Sequence, residues 1–161
     1  MSTRVFYAVM SRRIVLLAHN IRSLWNVGSL FRTADSFGIE KIYLTGYTAA
    51  PPRREISKTA LGAEEFVLWE KAEDPKKVIA KLKKQGFTIV ALEQARGAVD
   101  LKKFEPPVKV CLIVGHEVLG VPKEILQLCD AVVHIPMHGK KESLNVAVAA
   151  GITLHHLRSG D

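Results

Sequence analysis

The sequence is short of the features that would tie it to a membrane, a metal or an oxidising compartment. Its 161 residues hold only two cysteines. Cys111 and Cys129 each sit in an apolar stretch, so both are expected as buried thiols of a reducing compartment and not as a disulfide framework. Cysteines and histidines do not cluster at ligand spacing, so no metal site is expected. No apolar run approaches the roughly 18 residues that a membrane span requires. Arg4, Arg12 and Arg13 break the short apolar stretch at the start, which argues against a signal peptide. A cytoplasmic setting is therefore expected. Repeats, low-complexity tracts and linkers are also missing, and the length points to one domain, residues 1–161. Two nucleotide-binding loops are excluded as well. Gly115-His116-Glu117-Val118-Leu119-Gly120 is not a Walker loop, because Val121-Pro122 stands where Lys-Ser/Thr is required. Nor does it fit G-x-G-x-x-G, so a nicotinamide dinucleotide loses its best support.

What is present is an ordinary globular balance, 48% apolar and 24% charged, with an uneven distribution of charge. Acids are scarce at the front: residues 1–62 carry nine lysines and arginines against three acids, while the rest is nearly balanced and the whole chain is +7. Positive potential gathered in one third of a chain points to a polyanion, most commonly nucleic acid. Arg22, Arg53, Arg54 and Lys58 are the candidate nucleic-acid contacts within it.

Apolar runs at 13–18, 40–45, 66–69, 87–92, 108–114 and 131–135 predict strands. They alternate with helices predicted over 26–37, 55–61, 75–85 and 122–129, and from Ser143 onward. Strands that are continuously apolar and separated by helices imply a parallel sheet covered on both faces, a doubly wound α/β domain. Such sheets bind ligands beyond the carboxyl ends of their strands. Three polar, glycine-bearing loops fall at those ends: 18–26, 115–122 and 136–143.

The last loop opens on the helix that closes the chain. Ser143 occupies a predicted N-cap position, and Leu144, Val148, Ile152 and the His155/His156 pair recur at helical spacing. Ser143 and Asn145 stand at the mouth of this helix, where unpaired N–H groups and the dipole suit an anion. Taken alone, a capping serine and a solvated asparagine explain the segment equally well. In the first loop, Asn26 is predicted to cap a helix that carries Arg32. That arginine is either an exposed partner of nearby acids or a guanidinium that clamps phosphate or a reacting hydroxyl.

Together the motifs are more specific than any one of them. Asn26-Val27-Gly28-x-x-x-Arg32-Thr33-Ala34-Asp35, then Gly115-His116-Glu117-x-x-Gly120, then Ile135-Pro136-Met137-x-Gly139-x-x-x-Ser143-Leu144-Asn145-Val146 resemble the three ordered motifs of the SpoU/TrmH branch of the SPOUT RNA methyltransferases. The stretch 57–64 resembles the family's linking segment. The resemblance runs from about residue 14 to 157. Ala147 departs from it, standing where a serine is common. The RNA-binding domain appended in many members has no counterpart in this sequence, so one catalytic domain holding RNA on its own basic surface is expected.

The resemblance implies a C-terminal trefoil knot and a homodimer whose active site draws on both subunits. It implies S-adenosylmethionine as cofactor, cupped by Leu92, Gly115, Gly120, Ile135, Met137 and Leu144. The reaction implied is methylation of a ribose 2′-hydroxyl of tRNA or rRNA, with Arg32 activating the hydroxyl. Asn26, Glu117, Ser143 and Asn145 would orient Arg32 and the RNA, and Glu117 could hold an arginine bidentately, either Arg32 or one from the partner subunit. The alternatives are an RNA-binding or assembly protein that has lost catalysis on the same fold, and a base methyltransferase. The joint presence of Arg32, Glu117, Ser143 and Asn145 argues against the first, and the Asn26/Arg32 match against the second.

Overall fold

The computed structural model describes residues 11–161, so Arg4 of the basic N-terminal third lies outside the described residues. In chain order the elements are β1 (Arg13–His19), α1 (Leu24–Ser36), β2 (Lys41–Thr45), α2 (Arg54–Ala60), β3 (Trp69–Ala72), α3 (Pro75–Lys84), β4 (Thr88–Leu92), β5 (Val99–Asp100), β6 (Lys109–Val114), α4 (Lys123–Leu126), β7 (Ala131–His134) and α5 (Val146–Arg158). The seven strands form one sheet in the order β3-β2-β1-β6-β4-β7-β5, and every pairing is parallel.

The central strands are apolar along their buried stretches, 14–18 in β1, 110–114 in β6 and 89–91 in β4, because both faces are covered. Along β1, Ile14, Leu16 and Ala18 join the core under α1, α2 and α5. Val15 and Leu17 face the other way, into the core under α3 and α4. β6 repeats this alternation with Val110, Leu112 and Val114 against Cys111 and Ile113. The predicted α/β architecture with helices on both faces is the one observed. Among the described residues no helix is long and apolar enough to cross a membrane.

Two helix starts differ from the sequence expectation, each for a local reason. α1 begins earlier: Ser23 is its N-cap and accepts from the Asn26 backbone N–H at 3.2 Å. Asn26 thus sits inside the first turn with its side-chain amide free for other partners. α5 begins later: Asn145 is the N-cap, accepting from the Ala147 and Val148 N–H groups at 2.9 and 3.2 Å. Ser143 stays in the exposed loop before it. The buried face of α5 is also a different one, made of Ala147, Ala150, Thr153, Leu154 and Leu157. Burying a leucine contributes about 1.5–3 kcal/mol, so Leu154 and Leu157 set the rotation of the helix. Val148 and Ile152 are left 52% and 44% exposed.

The strand expected at 66–69 begins only at Trp69, as the edge strand β3. Phe66 and Leu68 are exposed, and only Val67 turns into the core. The helix expected over 122–129 shortens to α4, and the two-residue strand β5 at the opposite edge carries too little sequence to be predicted. Cys111 is buried, but Cys129 is only partly so. The two ends of the described residues meet at Arg158, whose guanidinium donates to the carbonyls of Phe37, Arg12 and Gly38 at 3.0, 2.7 and 3.1 Å and to Asp161 at 2.8 Å.

Candidate active site

A cleft opens beyond the carboxyl ends of β4, β6 and β7, where a parallel sheet presents its ligand sites. Leu92, Gly115, Gly120, Ile135, Met137 and Leu144, the six residues expected to cup a cofactor, all line it, together with Glu117 and Ser143. Each comes from the end of a strand or from the loop that follows, so the sheet fixes their separation.

The wall after β6 is a turn closed on itself. Gly120 donates its N–H to the His116 carbonyl at 2.9 Å, and the His116 Nδ1 accepts from the N–H groups of Val118 and Leu119, both at 3.0 Å. The backbones of Gly115 and Gly120 touch: a Cβ on Gly115 would meet the Gly120 carbonyl carbon and oxygen at 2.6 Å. Gly120 has φ +72°, and a Cβ there would lie 2.2 Å from Glu93 Oε2. Gly115 is therefore required by contact, and Gly120 by contact as well as by conformation.

Glu93 and its neighbour Gln94 were not singled out from sequence. The Glu93 carboxylate accepts from the Val121 N–H at 2.7 Å and ties the end of β4 to the glycine turn. Gln94 Nε2 donates to the Ile135 carbonyl at 2.7 Å and ties the same strand end to the loop after β7. The carbonyl of Ile135, a residue expected to cup the cofactor, is thus already hydrogen-bonded within the protein. The signal in the sequence was a Glu-Gln pair directly behind an apolar strand, at its carboxyl end.

A chain of hydrogen bonds leads from the cleft to α5. Glu117 accepts from the backbone N–H groups of Arg22 and Ser23, both at 3.0 Å, and from Asn26 Nδ2 at 3.1 Å. Asn26 Oδ1 accepts from Asn145 Nδ2 at 3.1 Å, and Asn145 Oδ1 caps α5. Both amide oxygens and one hydrogen on each amide nitrogen have an assigned partner, which fixes both asparagine orientations. Burial would push the Glu117 carboxyl up. The Ser23 and Arg22 N–H groups and the Asn26 amide outweigh it and hold the group below the usual carboxylate range. Among the described residues Glu117 holds no arginine side chain, Arg32 included. Its oxygens are committed to the start of α1, because the loop after β1 brings two free N–H groups within reach of a carboxylate.

Arg32 is not in the cleft. It is exposed on α1 and lines a separate hollow between α1 and α5, with Asn26, Ser29, Asn145, Val148 and Ile152. Asn26 and Asn145 line this hollow and not the cleft, and the hydrogen bond from Asn26 to Glu117 joins the two regions. Among the described residues the Arg32 guanidinium has no ion-pair partner. Arg22, Arg53, Arg54 and Lys58 are all exposed, as RNA contacts need to be. Arg22 and Arg53 line a third hollow with Trp25, another residue the sequence reading passed over.

The cleft fits a nucleoside-bearing cofactor. Leu92, Ile135, Met137 and Leu144 supply apolar walls for a flat ring, and the Gly115–Gly120 turn lets a ligand approach the backbone.

The comparisons bear on this geometry directly. The model of the SpoU rRNA Methylase family matches residues 13–155. A tRNA (guanosine(18)-2′-O)-methyltransferase of Aquifex aeolicus is 32% identical over 88% of this chain and 67% of its own length. The 23S rRNA (guanosine-2′-O-)-methyltransferase RlmB of Neisseria meningitidis serogroup B is 30% identical over 90% of this chain and 58% of its own. The crystal structure of an AdoMet-bound rRNA methyltransferase from Sinorhizobium meliloti superposes with a TM-score of 0.85 at 30% identity, covering 91% of this chain and 56% of that one. The chain thus spans between about half and two thirds of these relatives. With the glycine turn and the loop after β7 in one cleft, the Asn26 motif hydrogen-bonded to it through Glu117, and the family model matched from β1 into α5, the chain belongs to the SpoU rRNA Methylase family.

Proposed function

We propose that this protein is an S-adenosylmethionine-dependent RNA methyltransferase that modifies a ribose 2′-hydroxyl of tRNA or rRNA. The observation that carries the reading is the convergence of the six expected cofactor residues in one cleft, with the Glu117–Asn26–Asn145 chain leading out of it towards Arg32. The Aquifex aeolicus and Neisseria meningitidis relatives are 2′-O-methyltransferases of tRNA and of 23S rRNA.

Bound in the cleft, S-adenosylmethionine would supply an electrophilic methyl group. The remaining work falls to the chain's own residues. Leu92, Ile135, Met137 and Leu144 hold the cofactor and exclude water. Ser143 and Asn145 stand at the rim, where they orient the ribose. Arg32 meets the hydroxyl or the phosphate beside it. A guanidinium is a poor base at neutral pH, so its role is to favour the developing alkoxide electrostatically. Holding hydroxyl and methyl donor in line is itself worth roughly 7–11 kcal/mol.

Because Arg32 lies on the α1/α5 face and not in its own cleft, the active site is proposed to form between the subunits of a homodimer. The exposed Val148 and Ile152 beside Arg32 support this, since they form an apolar face that a second copy would cover. A trefoil knot is proposed for the C-terminal half. β6 and β7 lie on either side of the earlier β4, and α5 packs against the connection between β4 and β6, with His156 Nε2 2.7 Å from the Phe104 carbonyl oxygen. The described residues share one sheet, in keeping with one catalytic domain, and the two free cysteines are in keeping with a cytoplasmic setting.

The test is methyl transfer from labelled S-adenosylmethionine to bulk tRNA and to rRNA, followed by nucleoside mass spectrometry. A 2′-O-methylnucleoside from either pool is expected. Label on a base, or none from a protein that still binds the cofactor, overturns the reading.

A further inference from the structure

The hollow around Trp25 has no role in the site as described, yet it adjoins that site. It is lined by Arg22, Ser23, Leu24, Trp25, Arg53, Glu55, His116, Glu117 and Val118. Three of these, His116, Glu117 and Val118, also line the cofactor cleft. A single turn of chain therefore separates the two, and a ligand in the hollow would stand next to the cleft.

Trp25 is 47% exposed at the second position of α1. An indole left in water there forgoes much of the burial that a tryptophan ordinarily contributes to a fold. Its backbone is nevertheless firmly placed: the Trp25 carbonyl accepts from Thr59 Oγ1 at 2.7 Å. Lys58 Nζ stands 5.5 Å from the ring centroid, so a cation lies against the ring. Arg22 and Arg53 add two more cations to the rim of the hollow, against two acids, Glu55 and Glu117, of which Glu117 is committed to the Arg22 and Ser23 N–H groups and the Asn26 amide. A rigid exposed aromatic among cations matches the physical requirements for single-stranded nucleic acid: a flat surface for a base and positive charge for its phosphates.

We infer that Trp25 is the stacking platform for an unpaired base of the substrate RNA, with Arg22 and Arg53 holding the phosphates on either side. The inference rests on the proposed function and narrows it: the substrate presents an unstacked nucleotide beside the methylated ribose, which a continuous duplex does not offer. The hollow selects for strand state and not for base identity, because every base has a stacking face.

Tryptophan fluorescence tests this, since the chain contains only Trp25 and Trp69 and Trp69 lies on β3 at the far edge of the sheet. Short oligoadenylate is expected to quench the wild type, and Trp25→Phe to abolish the quenching while binding within a few-fold, since a phenyl ring still stacks. Trp25→Ala is expected to bind roughly tenfold more weakly with an unchanged salt dependence. Arg53→Ala is expected to lower the log–log salt slope by about 0.7. Quenching that persists in Trp25→Phe, wild-type affinity in Trp25→Ala, or equal quenching by a blunt duplex overturns the inference. Failure of the proposed function is read separately. Quenching without methyl transfer would leave the platform standing and the reaction in question, and methyl transfer without quenching the reverse.

Discussion

The side-chain amide of Asn145 donates to Asn26 Oδ1 at 3.1 Å, joining the starts of two helices that lie 119 residues apart in the chain. Each asparagine has a second duty. Asn26 donates to Glu117 in the cleft, and Asn145 caps α5. The pair is therefore a strut between the cofactor cleft and the face that carries Arg32, and its two duties are separable by substitution.

Asn145→Asp keeps an oxygen for the α5 N–H groups, and aspartate caps helices as well as asparagine does. It has no proton to give Asn26 Oδ1. This variant is expected to melt close to the wild type but to lose at least tenfold in methyl transfer. Asn145→Ala is expected to lose about 1 kcal/mol of stability in addition. Denaturant unfolding beside a transfer assay checks both, and an Asn145→Asp enzyme with full activity would remove the strut from the mechanism.

The second prediction concerns the glycine turn. A methyl at Gly120 would collide with the Glu93 carboxylate on a backbone at φ +72°, so Gly120→Ala must displace Glu93 or open the turn. Cofactor affinity measured by calorimetry is expected to fall at least tenfold. Glu93→Ala, which frees the Val121 N–H, is expected to weaken the cofactor in the same sense. Unchanged affinity in both would mean that the cup does not depend on the clasp between β4 and the turn.

These two sites also show what the sequence could and could not reveal. β1 and β6 are legible because a strand buried on both faces must be apolar at each position. The motif residues of the cleft are legible because parallel strands deliver their loops to one edge. Helix caps were misplaced: Ser23 and Asn26, and likewise Ser143 and Asn145, are pairs of good caps a few residues apart. Only tertiary contacts decide which of them bends out of the helix. Phe66 and Leu68 imitated a strand, whereas the true edge strand β3 is Trp-Glu-Lys-Ala and pairs on one side only. Glu93 and Trp25 escaped because a single polar or aromatic residue has no periodicity, and its meaning lies in what it faces.

Acid should destabilise the fold in two separate windows. Burial depresses the His19 imidazole, with Glu124 acting weakly in the other direction. The unfolded chain therefore binds a proton that the fold refuses, and stability declines as pH falls below about 6.5. Glu117 is a depressed carboxylate, so its contribution is complete above about pH 4.3 and is lost as pH falls through its lower folded value. Thermal unfolding across pH 3 to 8 should show the upper decline vanish in His19→Gln and the lower one flatten in Glu117→Gln. The same two slopes in the variants would assign them to other groups.

Arg158 closes the fold from outside the site. Its guanidinium serves the carbonyls of Phe37, Arg12 and Gly38 along with Asp161. Hydrogen bonds to a charged group are worth about 1.5–3 kcal/mol each when buried, and these are only partly so. Arg158→Ala is expected to cost about 2–3 kcal/mol in urea unfolding with cofactor affinity unchanged. Lysine should restore little of it, since an ammonium lacks the planar fork.

The last prediction addresses where Arg32 acts. In a two-fold dimer each composite site would take its cleft from one subunit and Arg32 from the other. Arg32→Ala should abolish methyl transfer while leaving cofactor affinity within a few-fold, because the side chain is remote from its own cleft. A Gly120→Ala protein that still dimerises should also be inactive, for want of cofactor. Unfolded and refolded together in equal amounts, the two inactive chains should regain activity. Half of the dimers formed would be mixed, and each mixed dimer holds one intact site, giving roughly a quarter of the wild-type rate. Sites contained within single subunits can yield nothing from such a mixture, so a refolded mixture that stays silent, with mixed dimers verified by mass, places Arg32 in the site of its own chain.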